Sequence, residues 1–288
     1  MGNFVQSQRE YRGVQVIKAA VLGSPISHSL SPLLHKSAYE KLGLVGSYEA
    51  IELNEVSSLE FLQSVVERPQ ESDWSGFSLT MPLKEIVFSE TLRGNLRIDA
   101  TAAHFRTTNT LVNEGKDFFA TSTDMTAFLR LLKPHQKTKV LLIGAGGTAR
   151  AALGALDGVA DRIDVVARRK EQSEEVGNLA LHSDLRSIDV TVSSHTYDVI
   201  INTLPAQAQE ATLELVQSCT TELYFEVLYK PSPTLALAAA RDRGLTVFDG
   251  IDLLVEQALD QISLFTKKSF DYDELRLYLL NVARAACG

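Results

Sequence analysis

Apolar positions along the 288-residue chain fall into strand-length runs separated by amphipathic stretches of helix length. VIKAAVLG (16–23), SYEAIEL (47–53) and WSGFSLT (74–80) alternate with SPLLHKSAYEKLG (31–43) and NEVSSLEFLQSVVER (54–68), which predicts a βαβα order. Ser31 ahead of Pro32 predicts a helix cap followed by a first-turn proline, and Gly43 closes the same helix. The serine-rich stretch VLGSPISHSLSPLLH (21–35) is therefore expected to release its hydroxyls into a strand-to-helix loop.

From residue 139 the rhythm restarts with KVLLIG, AGGTARAALGALDGV, DRIDVVARR, a polar helix, YDVIINTLP and ELYFEVLY. Two βα series predict an α/β chain with two sheets. The boundary is expected near Asp124, where the helix-like MTAFLRLLKPHQ joins them, and residues 250–286 read as two helices able to complete either half.

Composition narrows the partners. A 45% hydrophobic content allows a packed core, and 36 acidic against 28 basic residues give a net charge of −8. That balance argues against nucleic acid or an anionic membrane as a general partner, so an anionic ligand must be held by local groups. With only two cysteines, Cys219 and Cys287, a disulfide framework is not expected, and a reducing cytoplasm fits. MGNFVQSQREYRG lacks the apolar core of a leader and predicts a loose first dozen residues; no later apolar run reaches membrane-spanning length. Expected partners are a small-molecule substrate and, at most, a second copy of the chain, as monomer or homodimer.

The strongest local motif is VLLIGAGGTARAAL (140–153), with Gly144, Gly146 and Ala149 in G-x-G-x-x-A order between a strand and a helix. Gly144 permits the tight turn, Gly146 lets a pyrophosphate approach the backbone, and Ala149 lets helix and strand pack closely. The following helix offers free N–H groups to phosphate. At the end of the next strand, VVARRK (165–170) carries Arg168 and Arg169, backed by Lys170, where an NAD enzyme usually has an acidic residue. Guanidinium forks suit a 2′-phosphate, which favours NADP over NAD; a solvated basic helix start is the plainer alternative.

GFSLTMPLKE (76–85) delivers Thr80 and Lys84 beyond a strand end, while TTNTLV (107–112) and TSTD (121–124) place Asn109 and Asp124 at strand ends too. Taken singly, such residues cap helices and form turns. Together they supply hydroxyls, an amide, an amine and a carboxylate, which is what a polyhydroxylated acid needs.

In the order GSPISHSLSP, SLTMPLK, TNTL, STD, IGAGGTA, INTLP, LYKPSPT and DGIDLLVEQ, the chain resembles the shikimate dehydrogenase family from about residue 16 to 286. The resemblance implies NADPH-dependent reduction of 3-dehydroshikimate to shikimate in aromatic amino acid biosynthesis. It also implies a discontinuous substrate domain (14–124, completed by 250–288) beside a Rossmann-type doubly wound nucleotide domain (125–249). Lys84 and Asp124 match the catalytic pair, Ser29 and Ser31 the binders of the substrate carboxylate, and Thr80, Asn109 and Gln257 the binders of ring hydroxyls. Tyr229 closes the cleft from the nucleotide side. Ala145, Gly147, Thr148, Thr203 and Gly250 fall on the cofactor side with the glycine turn.

Reduction of a ring carbonyl leaves an oxygen that needs a proton, and a protein acid must supply it. Lys84 is expected to give it and Asp124 to orient the ammonium. The competing histidine acids are His28, His35 and His104; His135, His182 and His195 lie in polar segments. No histidine pair has metal-ligand spacing, so no metal is expected.

Several positions depart from the family pattern: Ser78 and Ser122 for asparagines, Arg106 and Thr107 for a glycine and an alanine, Ala127 for a glycine, Ala167 for an asparagine and Leu204 for a threonine. Two rival readings therefore stand beside the first: a dehydrogenase for quinate or another hydroxylated cyclic acid, with NAD as an alternative cofactor, and a non-catalytic dinucleotide-binding relative.

Overall fold

A computed structural model describes residues 16–90, 92, 94–133, 139–188, 196–206 and 209–287. The first dozen residues, His135 and His195 lie outside the described residues.

The first sheet contains β1 (Ile17–Gly23), β2 (Gly46–Glu52), β3 (Gly76–Leu79), β4 (Leu96–Ile98), β5 (Thr110–Asn113) and β6 (Phe118–Thr121), in the order β2-β1-β3-β5-β6-β4. β1 pairs in parallel with β2 and β3, while β5 runs antiparallel to both β3 and β6. The sheet is thus mixed. Between β5 and β6, GKDF turns the chain back, and Gly115 takes φ +89° there.

Helix α1 (Ser31–Lys41) begins at Ser31 with Leu30 as its cap, and Ser31 makes no capping bond through its side chain. The predicted serine cap is therefore corrected: the helix takes in Ser31, and the Ser29 hydroxyl accepts the Ser31 N–H at 3.3 Å. At its other end Gly43 adopts φ +65° and closes the helix as expected. Helix α2 (Glu55–Val66) starts at Asn54, whose side chain accepts from the Ser57 N–H at 2.9 Å. A short helix α3 (Ala100–His104) precedes β5.

Helix α4 (Thr123–Leu132) leads into the second sheet, formed by β7 (Lys139–Ile143), β8 (Arg162–Val166), β9 (Asp184–Ser187), β10 (Val199–Asn202), β11 (Leu223–Glu226) and β12 (Thr246–Phe248). All pairs are parallel and the order is β12-β11-β10-β7-β8-β9. Its central strands are buried on both faces and read as continuous apolar runs. The crossovers are α5 (Gly147–Leu156), α6 (Lys170–Gly177), α7 (Gln209–Ser218) and α8 (Leu235–Asp242). Strand order reverses between β7 and β10, which puts a crevice at the end of β7, where the glycine turn lies.

The chain returns through α9 (Gly250–Thr266) and α10 (Tyr272–Cys287). Val255, Ala258, Leu259, Ile262 and Phe265 of α9 share a core with Ile17, Ala19 and Val21 of β1, whereas Leu253 packs with the core of the second sheet. Helix α9 thereby spans the junction of the two halves. Arg130 of α4 fastens it there, at 2.8 Å from Glu256 and 2.9 Å from Asp260. Glu256 is 2% exposed. Burial alone would raise its carboxyl, but Tyr272, Arg130 and Arg276 donate to it and hold it below the usual carboxylate range.

Candidate active site

The parallel strands β1 and β3 end side by side, with Leu22 paired to Leu79, so the loops after them leave the sheet at one place. After β1, buried Ile26 and Leu30 pin the serine loop. After β3, Leu83, Ile86 and Val87 anchor a 3-10 segment (Leu83–Phe88) in the core, and Lys84 lies between those anchors with its side chain 17% exposed. Its carbonyl accepts the Thr108 N–H at 2.7 Å, which fixes the base of the side chain.

Asp124 sits in the first turn of α4 rather than at a strand end. A carboxylate is favoured there by the exposed N–H groups of the helix start. Lys84 Nζ donates to Asp124 Oδ2 at 2.5 Å and to Thr148 Oγ1 at 3.1 Å.

These groups border a cavity of about 170 Å³. The volume is below the ~300–1,000 Å³ of pockets for drug-sized ligands and suits a small metabolite. Ser29, Ser31, Thr80, Lys84, Asn109, Asp124, Tyr229 and Gln257 all line it, as do Thr148 and Gly250 from the predicted cofactor group. None of the described histidines does. His28 is exposed, His104 bonds the Leu179 carbonyl at 2.7 Å, His182 is exposed, and His35 is buried against Tyr48.

The cavity wall is wired before any ligand arrives. Asn109 Oδ1 accepts the Thr123 N–H at 2.7 Å, and its Nδ2 donates to Gln257 Oε1 at 3.3 Å. Gln257 Nε2 in turn donates to the Leu254 carbonyl at 2.9 Å. Tyr48 donates to Ser78 Oγ at 2.6 Å, Ser78 donates to Gln261 Oε1 at 2.8 Å, and Gln261 Nε2 donates to Thr110 Oγ1 at 2.9 Å. Gln261 lines the cavity and is absent from the residues singled out in the sequence. Its spacing of four from Gln257 in QALDQ, one turn along the same helix face, is the pattern that marks it.

Tyr229 follows β11 and is half-buried, and burial pushes its phenol above the usual value. The loop that carries it starts at Glu226, a fully buried carboxylate that accepts from Tyr224 at 2.8 Å and Asn202 at 3.0 Å. Burial raises the Glu226 carboxyl against these donors.

The glycine turn of the predicted nucleotide residues lies at the end of β7, with Thr203 against it. Gly144 has φ +117°, and a Cβ there would stand 2.1 Å from Thr203 Oγ1. Thr203 Oγ1 itself donates to the Ile143 carbonyl at 2.8 Å, so it braces the turn from beneath. Around Gly146 a Cβ would meet nothing within 4 Å, and α5 begins without a side-chain cap. Open space over uncapped N–H groups fits a pyrophosphate. Ala145 and Gly147 complete the turn, and Ala149 is fully buried between helix and sheet. Arg168 and Arg169 stand exposed past β8 and form no ion pair among the described residues. Gly250 starts α9 against the Val227 and Leu228 carbonyls.

Of the departures from the family pattern, Arg106 takes φ +51°, a conformation that favours glycine, with its guanidinium 5.4 Å from the Phe88 ring centre. Thr107 donates to the Gly147 carbonyl at 2.9 Å, a bond that an alanine lacks. Ser122 leaves its buried hydroxyl without a partner among the described residues. Ala127 is packed in the core of the second half, and the Leu204 N–H is held by Asn202 Oδ1 at 3.1 Å. Ala167 is half-buried at the end of β8.

A doubly wound parallel sheet with a glycine turn, facing a second α/β unit across a polar cleft, defines a two-domain dinucleotide-dependent oxidoreductase. Residues 21–111 match the family model described as the shikimate dehydrogenase substrate binding domain. Over 257 residues the chain is 32% identical to the shikimate dehydrogenase (NADP(+)) of Exiguobacterium sibiricum, covering 86% of this chain and 91% of that protein. A crystal structure of Mycobacterium tuberculosis shikimate dehydrogenase superposes with a TM-score of 0.78 at 28% identity, over 92% of this chain and 99% of that one. The Thermus thermophilus shikimate 5-dehydrogenase, solved in complex with NADP(H) and shikimate, gives 0.77 at 26% identity over 94% and 99%. The chain belongs to the shikimate dehydrogenase family.

Proposed function

We propose that the protein is an NADP-dependent shikimate dehydrogenase that reduces 3-dehydroshikimate to shikimate, reversibly, with Lys84 and Asp124 as its acid–base pair. The observation that carries this reading is the 2.5 Å contact between Lys84 and Asp124 on the wall of a cavity that Thr148 of the glycine-turn helix also lines. Residues 14–124 with 250–288 form the substrate domain and 125–249 the nucleotide domain.

Ser29 and Ser31 donate hydroxyl protons to the substrate carboxylate, with Tyr229 on the same wall. Neutral donors suit this task in a chain of net charge −8, because they bind an anion without a basic patch. Thr80, Asn109 and Gln257 bond the ring hydroxyls, and the bonds that Asn109 and Gln257 already make hold their amides in place. NADPH, when bound, supplies the hydride. Gly144, Ala145, Gly146, Gly147 and Thr148 hold its pyrophosphate end through the backbone, Ala149 seats the helix, Thr203 and Gly250 border the site, and Arg168 and Arg169 take the 2′-phosphate.

As the ring carbonyl carbon becomes an alcohol carbon, Lys84 gives a proton to the oxygen and is left as a neutral amine, which water reprotonates. In the opposite direction the neutral amine takes the hydroxyl proton. Asp124 accepts from the ammonium in one state and from the substrate hydroxyl in the other.

A second reading, oxidation of quinate or a related cyclic acid, draws support from Ser78 and Gln261, which give this wall a short hydroxyl and a long amide. Turnover assays with shikimate and quinate, each with NADP⁺ and NAD⁺, separate the two. The expected result is highest kcat/KM for shikimate with NADP⁺. Turnover of quinate alone overturns the first reading, and tight nucleotide binding with no turnover of either acid overturns both.

A further inference from the structure

We propose that Thr148 is a positioning residue for Lys84: its hydroxyl oxygen, on the nucleotide side of the cleft, holds one ammonium proton and so aims another at the substrate. The proposal rests on the dehydrogenase reading above.

A lysine ammonium carries three N–H donors on a flexible stem, and it gains direction only when some of them are held. One goes to Asp124 Oδ2 at 2.5 Å and one to Thr148 Oγ1 at 3.1 Å. The third has no acceptor among the described residues. In a tetrahedral group two fixed directions determine the third, and Lys84, Asp124 and Thr148 all border the cavity. The free donor is thus left for a ligand there.

The contact is built into the backbone as well. At Gly147 a Cβ would stand 2.8 Å from Lys84 Cβ and 3.2 Å from its Cδ, so the bare turn lies directly on the lysine stem. Two adjacent threonines clamp both partners: Thr107 Oγ1 donates to the Gly147 carbonyl at 2.9 Å, and the Thr108 N–H donates to the Lys84 carbonyl at 2.7 Å. The acid is therefore aimed jointly by both halves of the molecule, Asp124 setting one direction and the glycine-turn helix the other.

The test uses the full-length protein and its Thr148→Ala, Thr148→Val and Thr148→Ser variants, with thermal melts to establish folding. Loss of the acceptor is expected to lower kcat for shikimate oxidation by roughly 10- to 100-fold, the scale of a small misplacement of a reacting group. KM for shikimate and the NADPH dissociation constant stay within about twofold of wild type on the same argument, since the substrate's own contacts and the backbone N–H groups offered to the nucleotide are unchanged. The solvent isotope effect on kcat rises in Thr148→Ala, and Thr148→Ser restores kcat. Thr148→Val keeps the shape and serves if the alanine variant fails to fold. A weakened NADPH dissociation constant with unchanged kcat, or a serine variant no better than alanine, overturns the proposal. An inactive wild type on both shikimate and quinate instead overturns the dehydrogenase reading itself.

Discussion

The proposed preference for NADP rests on Arg168 and Arg169. They are exposed past β8, and the neighbouring Ala167 has no polar group to share the work. A charge-assisted bond to a phosphate contributes about 1.5–3 kcal/mol. Arg168→Ala is therefore expected to raise KM for NADP⁺ by about 10- to 100-fold while leaving KM for NAD⁺ near its wild-type value. Equal losses with both cofactors in steady-state assays would refute the assignment. These arginines, like Lys84 in SLTMPLK, were legible in the sequence because a charged residue at a strand end stands out by type. Gln261 and Thr107 were not, since each draws its meaning from a partner 183 and 40 positions away, Ser78 and Gly147 respectively. No local pattern carries such pairings.

At the scale of elements, helix α1 buries His35 on the first sheet. The ring stacks on Tyr48 at 3.9 Å between centres, lies 5.8 Å from Phe265, and places Nδ1 3.3 Å from the Tyr39 hydroxyl. Burial lowers its pKa to about 3, against the opposing pull of Gln261. The unfolded chain, with a histidine near 6.5, then binds more protons than the folded one between those values. Stability falls as pH drops from about 6.5 toward 3, by at most ~1.4 kcal/mol for each pH unit. His35→Phe keeps a ring against Tyr48 and removes this component. Urea unfolding at about pH 7 and about pH 4.5 is expected to show a loss smaller by about 2–3 kcal/mol in the variant. Identical losses in both proteins would contradict the burial of a neutral imidazole. The helix itself was readable from SPLLHKSAYEKLG, but its start was displaced by one residue, because Ser29 rather than Ser31 supplies the local acceptor. The turn back into β5 and β6 was missed because TTNTLV and DFFATS are short runs whose direction only sheet pairing decides.

Across the whole molecule, two sheets that share no strand are joined by α4 and α9. The cavity collects Ser29 and Lys84 from one half, Thr148 and Tyr229 from the other, and Gln257 from the helix between them. The α/β class and the two series of strands and helices were legible from periodicity, and the glycine turn from its spacing. How closely the turn would lie on the lysine was not, because distance across a cleft depends on packing of residues far apart in the chain. The proposed reaction depends on Lys84 acting on the substrate oxygen rather than merely lining its pocket. Its most direct test compares wild type with Lys84→Ala, measuring kcat for shikimate oxidation with NADP⁺ and the shikimate dissociation constant by calorimetry. A general acid–base role predicts that kcat falls by about 10²–10⁴-fold while shikimate affinity stays within a few-fold. Loss of affinity with kcat preserved at saturating shikimate would contradict it.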